Sequence, residues 1–406
     1  MRIAQLLLLS ITLTTAAAAQ TLEFPVDLRL DDNTPRTARS MALGGATNAL
    51  GDVDMAANPA TLRNVVRPMI LTQGAYNSAG ANRDFMRYNF PAAETLRVDA
   101  STLSYIAAAK PVGAAVIGVY YAAVPRQGGP DPLVRTFGTV PYHRTFCLDP
   151  CINLNPLHPE AFERIEHRYG LVLAWTLGAF DIGAGAEMQR IRERSENVAV
   201  KTYDITSITP AFDWERILVV AQSRDIVPNV GVRWRATPRL ALAASYTGGG
   251  ALAETVGACS APDRDSPVCT SAVEEFGSLT VPMPDTLRAG LSFAATNRLR
   301  VVAEGVRRGW GRQRIIDDSL GGRAYADTNE IHAGAEYKLG SIALRAGWWR
   351  DPGHLRKHYP LSMAQVVTHR TAGAGIDLGR ARLDVAYDDA NLPNTRRAVA
   401  GLTFGL

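Results

Sequence analysis

Apolar and polar residues alternate one by one along most of this chain, from Arg67 to its end. In the segment 287–293, leucine, alanine, leucine and phenylalanine occupy one face, and arginine, glycine and serine occupy the other. A short turn at 295–297 follows, and the alternation resumes at Leu299. A period of two belongs to a β-strand with one apolar face, so the pattern predicts an all-β protein.

The connections between these strands alternate in length. Six short turns each join two strands, and an opening strand near 67–77 and a closing strand near 395–406 raise the count to fourteen. The short turns lie at 110–113, 178–180, 236–239, 294–298, 339–341 and 378–382. Longer loops separate these hairpins. An even strand number with short turns on one side and long loops on the other is typical of an outer-membrane β-barrel.

The two faces of the strands favour a transmembrane barrel over a soluble β-sandwich or propeller. Strands of 10–13 residues exceed the usual five or six of a soluble sheet and suit a tilted membrane span. Closure matters because an open sheet edge would leave unpaired backbone groups in hydrocarbon. The polar face is expected to line the lumen with charged side chains: Arg288, Arg300, Glu304, Arg308, Glu330, His332, Glu336, Arg345, Arg382, Asp384 and Asp388.

The overall composition agrees with two opposite faces. The chain of 406 residues is 47% hydrophobic and has a mean hydropathy of -0.05, with no apolar run long enough for a membrane helix. A lipid-facing surface and a charged lumen average to such a value. The net charge of +4 is small and scattered, so it gives no support to nucleic-acid binding.

Residues 1–19 have the layout of a secretory signal peptide. Arg2 precedes a leucine-rich centre, and the small residues Ala17-Ala18-Ala19 suit a cleavage site, so the mature chain is expected to begin at Gln20. A membrane anchor is the alternative interpretation. Export to an oxidising compartment suits four cysteines that form two close couples, Cys147 with Cys151 and Cys259 with Cys269. We expect local disulfides rather than a metal site, because neither couple has the spacing of zinc ligands.

Residues 20–64 do not alternate, and they carry a recognisable pattern. Arg39 is followed by Leu43-Gly44-Gly45-Ala46, then by Asp52, and then by Asn58-Pro59-Ala60 shortly before the first strand. The segments 284–293, 334–337 and 344–348 continue the likeness along the chain. This pattern resembles the long-chain fatty-acid outer-membrane transporters, a family that includes importers of aromatic hydrocarbons.

The resemblance implies a fourteen-stranded barrel at 65–406 whose lumen is plugged by residues 20–64. It also implies that a hydrophobic small molecule is captured at the outer loops and released sideways through the wall into outer-membrane lipid. The gate would lie near Asn58, Pro59 and Ala60. We expect a monomer without cofactor or metal, in the outer membrane of a Gram-negative-type bacterium, with both termini periplasmic. The alternative is a barrel scaffold or secretion-system subunit that binds a protein partner.

Several residues are candidates for ligand contact. Strand 112–124 is apolar on both faces, and Ile117, Val119 and Tyr121 are expected to line a ligand path, with contact to the plug as the alternative. A ligand carboxylate would need an inward cation, and the candidates, each of which could instead pair with a lumen carboxylate, are Arg233, Arg288, Arg300 and Arg345. Two loop helices, at 158–165 and 209–221, are expected to form a capture groove or to fold over the rim.

Enzyme signatures are weak. The pair His354 and His358 has metal-ligand spacing but lacks the glutamate of a metalloprotease motif. No serine lies in a Gly-x-Ser-x-Gly turn. We therefore expect a transporter rather than an enzyme, with a serine–histidine hydrolase as the remaining alternative.

Overall fold

The computed structural model describes most of the barrel and the second half of the plug. The described residues are 37–51, 53–80, 97–128, 158–204, 211–261, 273–312, 316–317, 322–323, 326–352, 366–390 and 395–406. The predictions for the signal peptide, for residues 20–36, for Asp52, for Cys147, Cys151 and Cys269, and for the histidine pair at 354 and 358 lie outside them.

The described chain consists almost entirely of strands. They are β1 (Met69–Gly80), β2 (Arg97–Val112), β3 (Ala115–Gly128), β4 (His158–Leu177), β5 (Phe180–Asp204), β6 (Ala211–Arg235), β7 (Leu240–Thr247), β8 (Ala251–Ala261), β9 (Glu274–Pro282), β10 (Thr286–Ala294), β11 (Leu299–Arg308), β12 (Ile316–Asp317), β13 (Gly322–Arg323), β14 (Thr328–Leu339), β15 (Ile342–Asp351), β16 (Val367–Leu378), β17 (Ala381–Ala390) and β18 (Thr395–Gly405). The helices are α1 (Ala38–Ala42) and two 3-10 helices, Pro59–Asn64 and Trp310–Arg312. Among the described residues, no helix is long and apolar enough to cross a membrane.

Antiparallel pairing closes the sheet into a barrel. Each wall strand pairs with a neighbour on both sides, and the pairings of β1 with β18 and of β5 with β6 close the ring. Fourteen strands form the wall: β1–β7, β10, β11 and β14–β18. The hairpin β8–β9 extends from the far half of β6. The predicted fold and strand count are confirmed.

The two faces of each strand have the predicted orientation. On the outside, large apolar side chains stand exposed, including Tyr337, Trp348 and Tyr387 near the strand ends. On the inside, the charged residues of β10, β11, β14, β15 and β17 are buried: Arg288, Glu304, Arg308, Glu330, His332, Glu336, Arg345, Asp384 and Asp388. The barrel is therefore apolar outside and charged inside along this part of the wall.

The short turns lie where the sequence predicts them. Four begin with a glycine at positive φ, between 60° and 79°: Gly113, Gly178, Gly340 and Gly379. Two-residue hairpins of this type need positive φ at the first turn position, which glycine adopts without strain. Glycine is thus the local reason why these hairpins turn tightly on one side of the barrel.

The two predicted loop helices are wrong. Residues 158–165 begin strand β4, and residues 211–221 belong to strand β6. Strands β5 and β6 run for 25 residues each and pair along nearly their whole length. The cap-like signals near 209 and 158 are local, and continuous cross-strand hydrogen bonding overrides them. These strands therefore extend the wall well beyond a membrane span of about 9–11 residues.

Candidate functional site

The described part of the plug, residues 37–64, lies inside the barrel. Helix α1 contacts strands β15–β18, and the 3-10 helix Pro59–Asn64 contacts strands β3–β6. Asn48 and Asn58, near its middle, are fully buried. The plug therefore bridges opposite sides of the inner wall.

Glycine pairs in the wall make room for the plug backbone. Gly183 on β5 is paired with Gly231 on β6, and the Asn58-Pro59-Ala60 turn lies against both. A Cβ atom on Gly231 would lie 2.8 Å from Cγ of Asn58, and one on Gly183 would lie 2.8 Å from Cα of Ala60. Such distances are sterically forbidden, so only glycine permits this approach.

A second glycine pair receives the other half of the plug. Gly334 on β14 is paired with Gly347 on β15, and Leu43 and Gly44 lie against them. A Cβ atom on Gly334 would lie 2.6 Å from the carbonyl oxygen of Leu43. Gly44 itself has φ +68°, which also favours glycine. Two glycine seats thus hold the plug at opposite walls.

Asn58 ties the plug together. Its Oδ1 accepts a hydrogen bond from the Ala60 amide at 2.9 Å, which caps the 3-10 helix, and Pro59 occupies the first helical position. Its Nδ2 donates to the carbonyl oxygen and to Oδ1 of Asn48, at 2.9 and 2.6 Å. The Asn58-Pro59-Ala60 turn thus links the two halves of the plug by hydrogen bonds and packs against β5 and β6. Its role as a gate stays a prediction.

Charged and polar wall residues form hydrogen bonds with the plug. Glu304 accepts hydrogen bonds from the amides of Thr47 and Asn48, at 2.8 and 3.0 Å. His332 hydrogen-bonds the Gly44 carbonyl oxygen through Nδ1 at 2.6 Å. Arg39 of the plug donates to both carboxylate oxygens of Glu336, at 3.0 and 2.9 Å. The charged lumen face therefore serves first to hold the plug.

Three of the four candidate arginines form ion pairs instead of offering an open cation. Arg288 pairs with Glu304 at 3.1 Å. Arg345 pairs with Glu336 and Asp384, both at 2.8 Å. The physical reason is that a buried charge needs a partner of opposite sign.

Arg233 and Arg300 lie at the same end of the barrel. Arg233 donates to the Ala49 carbonyl oxygen at 3.1 Å and pairs with Asp181 at 3.4 Å. Arg300 is half-buried and is paired in register with Glu336. Within the described ranges, no carboxylate lies in ion-pair distance of the Arg300 guanidinium. Arg300 is therefore the candidate anchor that the structure leaves open.

The residues predicted to line a ligand path lie on the outer face of β3, so this prediction is wrong. Ile117 and Val119 point outward, with 40% and 49% of their surface exposed, and Tyr121 lies on that same outer face against His167. Val116 and Tyr120 point inward. Both faces are apolar, so alternation cannot tell them apart. A usable signal was Gly118 on the Val116 face, because the plug needs small residues where it approaches the wall.

One sector of the inner wall along strands β1–β4 is apolar, although the Glu166–Arg168 ion pair on β4 also faces inward. One continuous buried cluster joins this sector to the plug residues Met55 and Leu62. Its members from the wall are Met69, Leu71, Tyr105, Ala107, Ala109, Val116, Tyr120, Ala122, Val172 and Ala174. A Cβ atom on Gly118 would lie 2.6 Å from Sδ of Met55, so these plug side chains press directly on β3. We call this cluster the apolar sector.

The wall divides directly beside the apolar sector. Strands β2 and β3 pair only from Tyr105–Ala122 to Val112–Ala115. Farther along, residues 97–103 of β2 pair with β1 alone, and residues 123–128 of β3 pair with β4 alone. A bulge in β2 marks the point of separation, because the β1–β2 register shifts at Gln73 and Gly74. We call this unpaired stretch the β2–β3 fork; sequence reasoning missed it.

A small polar cavity lies elsewhere in the barrel. Its volume is about 40 Å³, enough for a few water molecules. It is lined by Ala56, Arg168, Gln189, Thr247, Gly248, Met283, Pro284, Thr286, Arg288 and Arg308. Its size and polarity do not suit a hydrocarbon.

Solved structures share this architecture. A FadL homologue from Pseudomonas aeruginosa has a TM-score of 0.65 and 13% identity, covering 91% of this chain and 98% of that one. The toluene transporter TbuX from Ralstonia pickettii has a TM-score of 0.60 and 15% identity, covering 93% and 100%. A mutant of TodX, a monoaromatic hydrocarbon channel, has a TM-score of 0.59 and 16% identity, covering 91% and 99%.

The chain has the fold of these channels. The fold expected from the resemblance is thereby confirmed, and these solved structures are of transport proteins rather than enzymes. No family model matches the sequence, and no curated protein matches it.

Metal and disulfide chemistry can be checked in part. Among the described residues, no group of three or more histidine, cysteine, aspartate and glutamate side chains could hold a metal ion. Cys259 is disulfide-bonded. Its expected partner, Cys269, lies outside the described residues, so the pairing stays a prediction.

Proposed function

We propose that this protein is a passive outer-membrane transporter of hydrophobic small molecules, and that cargo leaves sideways through the β2–β3 fork. The observation that carries the proposal is the coincidence of the fork with the apolar sector. Elsewhere the described inner wall is rich in buried ion pairs. The fatty-acid and aromatic-hydrocarbon transporters that the chain resembles support the same class of cargo.

The apolar sector supplies a favourable environment for such cargo. Burial of apolar surface stabilises a ligand by about 25 cal/mol per Å². Met55 and Leu62 of the plug occupy the sector in this structure, and both are fully buried against β3. A ligand would therefore replace these side chains, which couples its binding to a shift of the plug.

The fork offers an exit that avoids water. Leu103 and Ile106 of β2 stand exposed on the outer face at its base. A hydrophobic molecule that moves from the apolar sector to this surface stays in apolar surroundings. Release into lipid therefore costs less than release through an aqueous pore. No energy source is needed, because the molecule moves down its own concentration gradient.

A disulfide across the fork tests lateral release. Ser104 and Ala123 are the first residues beyond the last paired positions, so S104C/A123C should close the base of the fork when oxidised. The matched control is A108C/V119C, which joins the same two strands where they are already paired. Uptake of labelled oleate and labelled toluene by cells is measured before and after reduction.

We expect the oxidised fork variant to lose uptake of the transported compound and to regain it on reduction, while the control stays unchanged. Uptake that is unaffected by the closed fork would refute lateral release at this place. Cells with the wild-type protein that take up neither compound faster than cells without it would refute transport of these cargo classes and favour the protein-binding scaffold.

A further inference from the structure

A row of basic side chains lies on the outer face of the barrel, outside the transport path. His167 on β4, Arg190 on β5 and Arg224 on β6 are paired in register across three neighbouring strands. Arg192 follows two residues farther along β5 on the same face. The three arginines are exposed, and His167 is half-buried. We call these four residues the basic row.

The basic row sits just above the apolar belt. At the turn end of these strands, Phe180 and Trp234 stack at 6.0 Å on the outer face. The belt continues through exposed Leu171, Leu173, Val230 and Ile226, the last of which is 75% exposed. Aromatic girdles flank the apolar band of membrane barrels at both interfaces. The row therefore lies at the level of lipid headgroups.

An aromatic cluster marks the same boundary. Tyr121 and Tyr169 approach with ring centroids 5.2 Å apart, and the Tyr121 hydroxyl hydrogen-bonds Nδ1 of His167 at 2.9 Å. Aromatic rings with one polar end prefer the membrane interface. The hydrogen bond also fixes the imidazole beside Arg190.

Among the described residues, no counter-charge accompanies the three arginines of the basic row. Directly opposed like charges across a ladder are destabilising, yet Arg190 faces Arg224. Within the described parts of the chain, no carboxylate pairs with Arg190, Arg192 or Arg224. On another side of the barrel the corresponding charge is neutralised, since Arg396 pairs with Asp389 at 3.4 Å.

We propose that the basic row binds the phosphate of a phosphorylated lipid headgroup in the outer leaflet of the membrane. Guanidinium groups donate two parallel hydrogen bonds to phosphate oxygens, and adjacent arginines can hold one phosphate between them. The exposed Ile226 and Leu171 below the row would contact the acyl chains of the same lipid. The site lies outside the barrel and is independent of transport through the fork.

The test measures lipid binding to the purified full-length protein by native mass spectrometry. The probes are bisphosphorylated lipid A, its dephosphorylated form and inorganic phosphate. The variant is R190Q/R192Q/R224Q. The control, R350Q/R370Q/R396Q, removes the same number of exposed arginines from β15, β16 and β18. Retained heat-dependent gel mobility shows that each variant is folded.

A basic residue near an anionic membrane surface strengthens binding about fivefold, so the triple variant should bind lipid A on the order of 100-fold more weakly. The control variant should bind lipid A as tightly as the wild type does. Binding of the dephosphorylated lipid should be the same in the wild type and in the triple variant. R190K/R192K/R224K, which keeps the charge without the two-pronged hydrogen bonds, should fall between wild type and the glutamine variant. If the glutamine variant does not fold, the lysine variant is used in its place.

Three results would overturn the proposal. Binding of lipid A that survives in the triple variant would show that the basic row is not the site. Equal losses in the variant and in the control would show a general charge effect. Displacement of lipid A by inorganic phosphate at low millimolar concentration would show a site for the free anion.

Discussion

The contact between the Asn58-Pro59-Ala60 turn and the glycines of the wall can be tested by adding one methyl group to the wall. Gly183 lies on β5 with its inward face against this turn. In Gly183→Ala the new Cβ would stand 2.8 Å from Cα of Ala60, and closer still to the Pro59–Ala60 peptide group. The obstructing atoms belong to backbone, which cannot rotate away as a flexible side chain can. The turn must therefore shift or the strand must bend.

The structure allows an estimate of the effect. Forcing an extra methyl group into a close-packed site costs about 1–3 kcal/mol. Hydrogen bonds oppose the shift: Asn229 donates to the carbonyl oxygens of Met55 and Ala56, at 3.1 and 3.2 Å, and Ser245 donates to that of Ala57 at 2.7 Å. Each contributes about 0.5–1.5 kcal/mol, so strain and restraint are comparable. The ratio of displaced to seated plug should rise about 5- to 150-fold.

Cysteine labelling measures this ratio. Thr61, which is buried in the adjacent 3-10 helix, is replaced by cysteine as a reporter, and a membrane-impermeant maleimide is added. The protein without the reporter gives the background. The matched control is Gly305→Ala on β11, where a Cβ atom would meet nothing within 4 Å.

We expect faster labelling and a larger ion conductance in planar bilayers for Gly183→Ala, and no change for Gly305→Ala. Equal labelling in both variants would refute the reasoning, because it would mean that the turn does not depend on a glycine seat. A rise in both would point to a general loosening of the barrel.

Three further outcomes follow from the plug and the loops. Glu304→Ala removes the ion pair of the buried Arg288 and the acceptor of the Thr47 and Asn48 amides, so the free energy of unfolding in urea should fall by about 3–5 kcal/mol; an unchanged midpoint would contradict a stabilising role for Glu304. Met55→Ala should speed uptake of bulky hydrophobic cargo, because it widens the apolar sector. A change in stability with no change in the uptake rate would contradict a role of the apolar sector in transport. Hydrogen bonding from Arg307 lowers the pKa of Asp327, so this loop contact contributes above the ordinary aspartate pKa and is lost as pH falls through the lowered value. The stability difference between wild type and Asp327→Asn should be constant near neutral pH and vanish in acid; a difference that grows in acid would have the wrong sign.

Much of the lumen could be predicted from sequence because polarity and period act together. Arg288, Glu304 and Arg345 alternate with apolar neighbours, so their inward direction was readable before any contact was known. Which carboxylate each arginine would meet was not readable. That choice depends on strand register and on the plug, as when Glu336 receives both Arg39 and Arg345.

Two predictions failed where local signals competed with distant ones. The cap-like residues near 158 and 209 predicted helices, but pairing with β5 extends both segments as strands. The prediction for the inner face of β3 is wrong because Ile117 and Val116 are equally apolar, and only the contact between Gly118 and the plug distinguishes the two faces. Both failures concern contacts between residues far apart in the chain.

The sequence by itself determined the barrel: a period of two, tight turns and an even strand count leave few other folds for such a chain. The tertiary structure alone decided where the interior is apolar, where the wall divides and what holds the plug. The physical reason is that alternation reports only which side chains share a face of one strand. The β2–β3 fork, the glycine seats and the basic row each require several strands to be brought into register, which no single segment encodes.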